Sequence, residues 1–155
     1  MTRGCKNFII IIYKKVGNYS LDTIILTKND VEKLLDMNQL YEDLVEAFRN
    51  YSKEKERNGL RVRSSFKDDN SSAMILFPGL LSNIPAFTIK NHTKFPNETP
   101  SIKGVIHLHD IDSGSLLSIM DSTYITSART GLSGAIGTHL LARKDANKVA
   151  VIGAG

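Results

Sequence analysis

Gly153-Ala154-Gly155 follows directly on Lys148-Val149-Ala150-Val151-Ile152. The apolar run reads as a short buried parallel strand, and G-x-G behind such a strand supplies a tight turn in which backbone can approach a pyrophosphate. The complete device needs a third small position, a helix whose N–H groups and dipole hold the phosphates, and an acidic residue roughly 20 positions on for the ribose. Taken alone, GAG is also what an apolar strand ending in a glycine turn would show. His107 and His109 share one face of a strand with Asp110 and Asp112 close by, a donor set that zinc accepts. No third ligand follows at a recognisable spacing, so no metal is expected. Cys5 has no histidine partner pattern and is not expected to be a nucleophile. Lys90 alternates with Thr88 and Ala86 against Phe87 and Ile89, which puts it on the sheet face opposite the two large apolar residues. A solvated strand lysine would do the same.

Composition bounds the setting of these groups. The chain has 155 residues, 41% hydrophobic and 23% charged, enough for one soluble domain with a sizeable core. One cysteine excludes an internal disulfide framework and fits a reducing compartment, so a cytoplasmic location is expected. The strongest apolar run, Phe8 to Tyr13, is far short of a membrane span, and Lys14 and Lys15 follow it without a small-residue cleavage site. Neither a membrane nor a signal-peptide reading is supported. A net charge of +4 would suit a polyanion, but tryptophan is absent and no basic-aromatic module is present, so no nucleic-acid partner is expected. Lys53, Lys55, Arg57, Arg61, Arg63 and Lys67 form a basic stretch that reads, for the most part, as a solvated helix end.

The elements that must position the chemistry follow from periodicity. Thr27-Lys28-Asn29-Asp30 resembles a capping box, and a short helix is expected from Val31 to Leu35. A longer helix is expected from Gln39 to Arg57, with Leu40, Leu44, Ala47, Phe48 and Tyr51 on its core face. Strands are expected at Leu60 to Lys67, Ala73 to Phe77, Pro85 to Asn91, Lys103 to Asp110 and Leu116 to Met120, forming a largely antiparallel sheet. A second long helix, Tyr124 to Arg143, carries Ile125, Ala128, Leu132, Ile136 and Leu140 along one face. Gly131, Ser133, Gly134 and Gly137 would let another backbone approach it. His92 is expected in a loop and His139 on the surface of that helix. Asp121 and Thr126 read as organisers of the helix start.

Lys90 with Pro96 six residues on, the strand Gly104-Val105-Ile106-His107-Leu108, the turn Asp112-Ser113-Gly114 and Met120-Asp121 closing the next strand form one set of landmarks. Ile125-Thr126-Ser127-Ala128-Arg129-Thr130-Gly131, running on through Leu141-Ala142-Arg143 to Gly155, forms another. Together they resemble the ornithine cyclodeaminase/mu-crystallin family, from about Ile24 to Gly155. Residues 1–22 have no counterpart. The resemblance implies an α/β fold: a mixed, largely antiparallel substrate-binding and dimerisation domain over 23–121, then over 122–155 the connecting helix and first strand of a truncated Rossmann domain.

The family's activity is NAD(P)-dependent chemistry at the Cα–N bond of small amino acids and cyclic imines. Its members include ornithine and lysine cyclodeaminases, alanine dehydrogenases and ketimine reductases. In the ornithine cyclodeaminase form, hydride leaves Cα, the side-chain amine attacks the imine, ammonia departs, and the cyclic imine is reduced to proline. The resemblance makes Lys90 the group near the reacting amine and carboxylate. It makes Arg61 and Arg129 the carboxylate clamp, a role suited to the planar guanidinium fork. Arg63, two residues along on the same strand face, is an alternative to Arg61. Arg129 and Thr130 are placed beside cofactor phosphate, with Gly153, Ala154 and Gly155 as the phosphate turn for NAD or NADP. A homodimer is implied. The other reading is a non-catalytic, dimerising or ligand-binding fragment.

The chain of 155 residues is expected to show no tight NAD(P)H binding and no dehydrogenase or cyclodeaminase activity. Two glycines without the following helix supply few of the N–H donors a pyrophosphate needs. Titration with NADH and NADPH by fluorescence or calorimetry checks this. Saturable micromolar binding would show that the remaining contacts come from elsewhere.

Overall fold

The computed structural model describes residues 23–52, 60–66, 71–80 and 84–153 of the 155. Residues 1–22 with Cys5, the helix end reaching Arg57, most of the basic stretch, and Ala154 and Gly155 lie outside the described residues. The elements are β1 (Ile24–Leu26), α1 (Lys28–Leu34), α2 (Met37–Tyr51), β2 (Val62–Ser65), β3 (Ala73–Leu80), β4 (Ala86–Lys94), β5 (Ile102–Asp110), β6 (Leu116–Asp121) and α3 (Thr123–Leu141). They form a six-stranded sheet in the order β1-β6-β5-β4-β3-β2. All pairings are antiparallel except β1 on β6. This is the mixed α/β, largely antiparallel architecture expected.

Local chemistry explains where the first helices begin. The Thr27 side chain accepts from the Asp30 backbone N–H while the Asp30 carboxylate accepts from the Thr27 N–H at 2.9 Å, so two orphan donors of the first turn are satisfied reciprocally. The cap thus starts α1 at Lys28, three residues before the expected Val31. Asp36 starts α2 by accepting from Asn38 and Gln39 N–H.

Helices α1 and α3 cover one face of the sheet over β1, β6 and β5, and α2 packs on α3. Val31 of α1, Ala86, Leu108, Leu117 and Met120 form the buried centre, with Ile24, Leu26, Ile106, Tyr124 and Ile125 packed against it. Burial of each large aliphatic side chain there contributes about 1.5–3 kcal/mol. A register shift between Leu108 and His109 leaves Leu117 unpaired and lets it join this centre beside buried Ser118. No described helix packs on the opposite face, which carries Ile25, Phe87, Ile89 and Ile119.

Three expectations need correction. Residues 147–153 form no strand; they have no hydrogen-bonded neighbour strand among the described residues, and a strand needs a ladder partner, which also leaves Val149, Val151 and Ile152 exposed, as the missing parallel neighbours imply. Phe48 and Tyr51, read as core, are 50% and 66% exposed, because α2 lies at the rim and packs mainly on α3. Leu140, read into the core face of the last helix, is 73% exposed, since α3 outruns the sheet after Ile136. One strand, β1, was not anticipated. At three residues it is too short for alternation to reveal it.

Candidate functional site

Lys90 stands at the middle of β4, paired in register with Phe77 of β3 and Ile106 of β5. It shares its face with Ala86 and with His92, which contacts α3, so it points to the helix-covered side of the sheet. Phe87 and Ile89 lie on the uncovered side. Burial pushes the Lys90 ammonium down from 10.5 to about 8, and the positive charge of Arg129 on α3 pushes in the same direction. The site is therefore built where a strand lysine is half removed from water and faces a second cation.

Arg61 precedes β2 and lies over the Phe77 ring, its guanidinium carbon 5.2 Å from the centroid. Phe77 is the register partner of Lys90, so Arg61 and Lys90 meet around one aromatic residue. Arg63 instead donates to Ser65 Oγ at 2.8 Å on the exposed edge strand. Arg61 thus lies over the register partner of Lys90, and Arg63 pairs in register with Ile75, the partner of His92. Arg129 approaches from α3, about two turns into the helix.

His92 was expected in a loop. It is in β4, two residues beyond Lys90 on the same face, and only 5% exposed. Its Nε2 lies 3.1 Å from Ser122 Oγ and 3.4 Å from Thr126 Oγ1, and its ring meets the Phe77 ring edge-on at 6.1 Å. Burial lowers its pKa from 6.5 to about 4, with Lys90 and Arg129 adding to the effect. The alternation that places Lys90 also places His92; the expectation failed by ending the strand at Asn91.

The remaining candidates fall elsewhere. Thr130 donates to the Thr126 carbonyl at 2.6 Å, a bond within α3. Asp121 accepts from Thr123 N–H at 2.8 Å, as an organiser of the helix start should. His109 stacks on Phe87 at 4.8 Å on the uncovered face, with Nδ1 3.1 Å from the Gly114 carbonyl oxygen. Among the described residues no group of three or more His, Cys, Asp or Glu could hold a metal ion, and no helix is long and apolar enough to cross a membrane. Gly153 has φ 90° with open space around the position of a Cβ. A positive φ of this size is the left-handed region that favours glycine.

The model of the ornithine cyclodeaminase/mu-crystallin family matches residues 21–155. The chain belongs to that family. It is 32% identical over 137 residues to alanine dehydrogenase of Archaeoglobus fulgidus, covering 87% of this chain and 42% of that protein. An archaeal alanine dehydrogenase, solved as a dimer with NAD bound, superposes with TM-score 0.70 at 31% identity over 79% of this chain and 38% of the other. Thermococcus litoralis Δ1-pyrroline-2-carboxylate reductase, solved with NADH and L-proline, gives TM-score 0.72 at 29% identity over 79% of this chain and 39% of the other. The chain thus spans about two-fifths of the length of these relatives. Dehydrogenases, reductases and cyclodeaminases of amino acids and imines all occur among its family relatives.

In this family member the buried imidazole has a measurable consequence. A His92 pKa of about 4 in the folded chain, against 6.5 for an ordinary histidine, means that the unfolded chain takes up a proton the folded chain refuses between these values. The histidine's share of stability is therefore full above pH 6.5 and falls as pH drops toward 4. Urea unfolding at neutral and mildly acid pH should show a larger acid loss for wild type than for His92→Gln. Equal losses would contradict the buried neutral ring.

Proposed function

We propose that the chain is the substrate-binding part of an NAD(P)-dependent enzyme that interconverts the amine and imine of a small amino acid or cyclic imine. The observation that carries this is Lys90: a half-buried amine, depressed to about 8, with Arg129 beside it and Phe77, which carries Arg61, across the strand pair. Removing a hydride from an amino acid Cα also requires loss of a proton from nitrogen. An amine with pKa near 8 is neutral in roughly one molecule in ten at pH 7, far more often than an ordinary lysine, and can accept that proton. Arg129 and Arg61 hold the substrate carboxylate, each offering two parallel N–H donors. When bound, NAD(P) takes or returns the hydride at Cα, and Gly153 with Ala154 and Gly155 is the turn that would hold its pyrophosphate. Thr130 adds a hydroxyl near that junction.

L-Ornithine is the substrate under the cyclodeaminase form of this reading, with L-proline and ammonia as products. Alanine and a cyclic imine are its alternatives, supported by the similarity to alanine dehydrogenase and pyrroline-2-carboxylate reductase. The uncovered sheet face docks a second copy of the chain. Ile25 at 74% exposure and Leu80 at 44%, with Phe87, Ile89 and Ile119, set apolar side chains around His107 and His109 on a face of the kind that seeks a partner. The dimeric state of the archaeal alanine dehydrogenase supports this.

In a chain carrying a complete cofactor domain, Lys90→Met should lower turnover by about 100-fold or more on the best of ornithine, alanine and pyrroline-2-carboxylate, with cofactor affinity little changed. Arg129→Ala should instead raise the KM for that substrate by about tenfold or more. Near-normal turnover of Lys90→Met would sink the assignment of the amine, and an unchanged KM would remove Arg129 from the clamp.

Sedimentation should show a dimer at micromolar concentration. A monomer at all concentrations, with the chain folded, would leave the sheet face without its proposed partner.

A further inference from the structure

His92 has no part in the chemistry proposed above, yet it is the most thoroughly built-in polar side chain near Lys90. The Thr126 hydroxyl already donates to the Ser122 carbonyl at 2.6 Å, so toward the ring it can only accept. With its proton on Nε2, the ring donates to Ser122 Oγ and Thr126 Oγ1 together. Ser122 is the N-cap residue of α3 and makes no capping bond with its side chain, leaving its oxygen for the histidine. The backbone opposite is shaped for the ring as well. Gly104 is the register partner of His92, and a Cβ there would collide with the Asn91 carbonyl oxygen and lie 2.8 Å from His92 Cδ2. The Gly104 carbonyl accepts from Ser122 N–H at 3.1 Å, so strand, ring and helix start close into one node.

We propose that His92 is a positioning residue: by tying β4 to the first turn of α3 it sets where Arg129 stands relative to Lys90. Arg129 is seven residues beyond Ser122 on the same continuous helix, so a tilt or slide at the first turn is carried to its guanidinium. Lys90 is two residues from His92 on a strand held on both sides by full ladders. One imidazole therefore fixes the relation between the two elements that carry the two cations. The role rests on the reading of Lys90 as the amine at the reacting centre.

The test needs no cofactor and uses the 155-residue chain. Lysine labelled at Cε is titrated by NMR, with Lys90 assigned by the signal missing from Lys90→Met. Wild type should titrate near 8 and Arg129→Ala higher, because a like charge has been removed. His92→Leu should also titrate higher, by about half a pH value or more, although an apolar side chain beside the amine would by itself push it lower. His92→Gln, which keeps an N–H donor, should stay near wild type. In the Arg129→Ala background, His92→Leu should cause no rise. An equal rise in both backgrounds, or no rise in a folded His92→Leu chain, overturns the positioning role. Should His92→Leu fail to fold, Ser122→Ala with Thr126→Val removes the same bridge from the helix side and decides by the same outcomes. An ordinary lysine titration already in wild type would instead overturn the reading of Lys90 itself.

Discussion

A lysine ammonium on the covered side of a sheet is the constraint around which the rest is arranged. Charge removed from water is costly unless it is paired or partly hydrated, and at Lys90 the nearest named charge is another cation. The fold accepts this by leaving the site at the margin of its core. The buried centre of Val31, Leu108, Leu117 and Met120 lies toward the α1 and β6 side, and β3 and β2 carry the sheet outward beyond the helices. Lys90 sits between the two regions, with Ile106 on the core side and Phe77 on the other. A phenyl ring is a suitable neighbour, because its face can support a guanidinium without adding charge.

Holding two cations near each other requires rigidity that they cannot supply themselves. Backbone ladders on both sides of β4 fix the lysine. The arginine depends on α3, whose own apolar face is weak: Ile136 is its one buried residue, and Gly131, Gly134 and Gly137 offer no side chains to pack. The helix is therefore fixed chiefly at its start, where Asp121, Ser122, Thr123 and Thr126 concentrate their hydrogen bonds. Gly104 is part of that arrangement because only the absence of a side chain lets the histidine and the Asn91 carbonyl come so close.

Much of this was legible in the sequence, for reasons that differ by element. Thr27 and Asp30 at capping-box spacing located α1, and the alternation from Ala86 onward located β4 and the face Lys90 shares with Ala86. What alternation could not say was which face was inside. Phe87 and Ile89 look like the core side by hydrophobicity, yet they lie on the face no described helix covers, while the polar set Thr88, Lys90 and His92 faces the helices. A sheet whose apolar residues serve two different surfaces defeats the usual inference from hydrophobic to buried. His92 was missed for a related reason: the strand was ended early by polar residues that belong to the site. Residues 148–152 failed in the opposite sense, since β-propensity describes a fit to neighbouring strands and none is present there among the described residues.

The order of the two influences on Lys90 bears on how the proposed site would work. A substrate carboxylate held by Arg61 and Arg129 would offset the guanidinium charge that now disfavours the ammonium. If that charge were the main cause of the low pKa, binding would restore an ordinary lysine and remove the base just as it was needed. Burial is the larger cause, however, and a bound substrate deepens burial by displacing water. The two effects of binding would therefore oppose each other, which would leave the amine able to exchange a proton in both directions. Reversible amine and imine interconversion asks for that balance, because the group that accepts a proton during oxidation must return it during reduction.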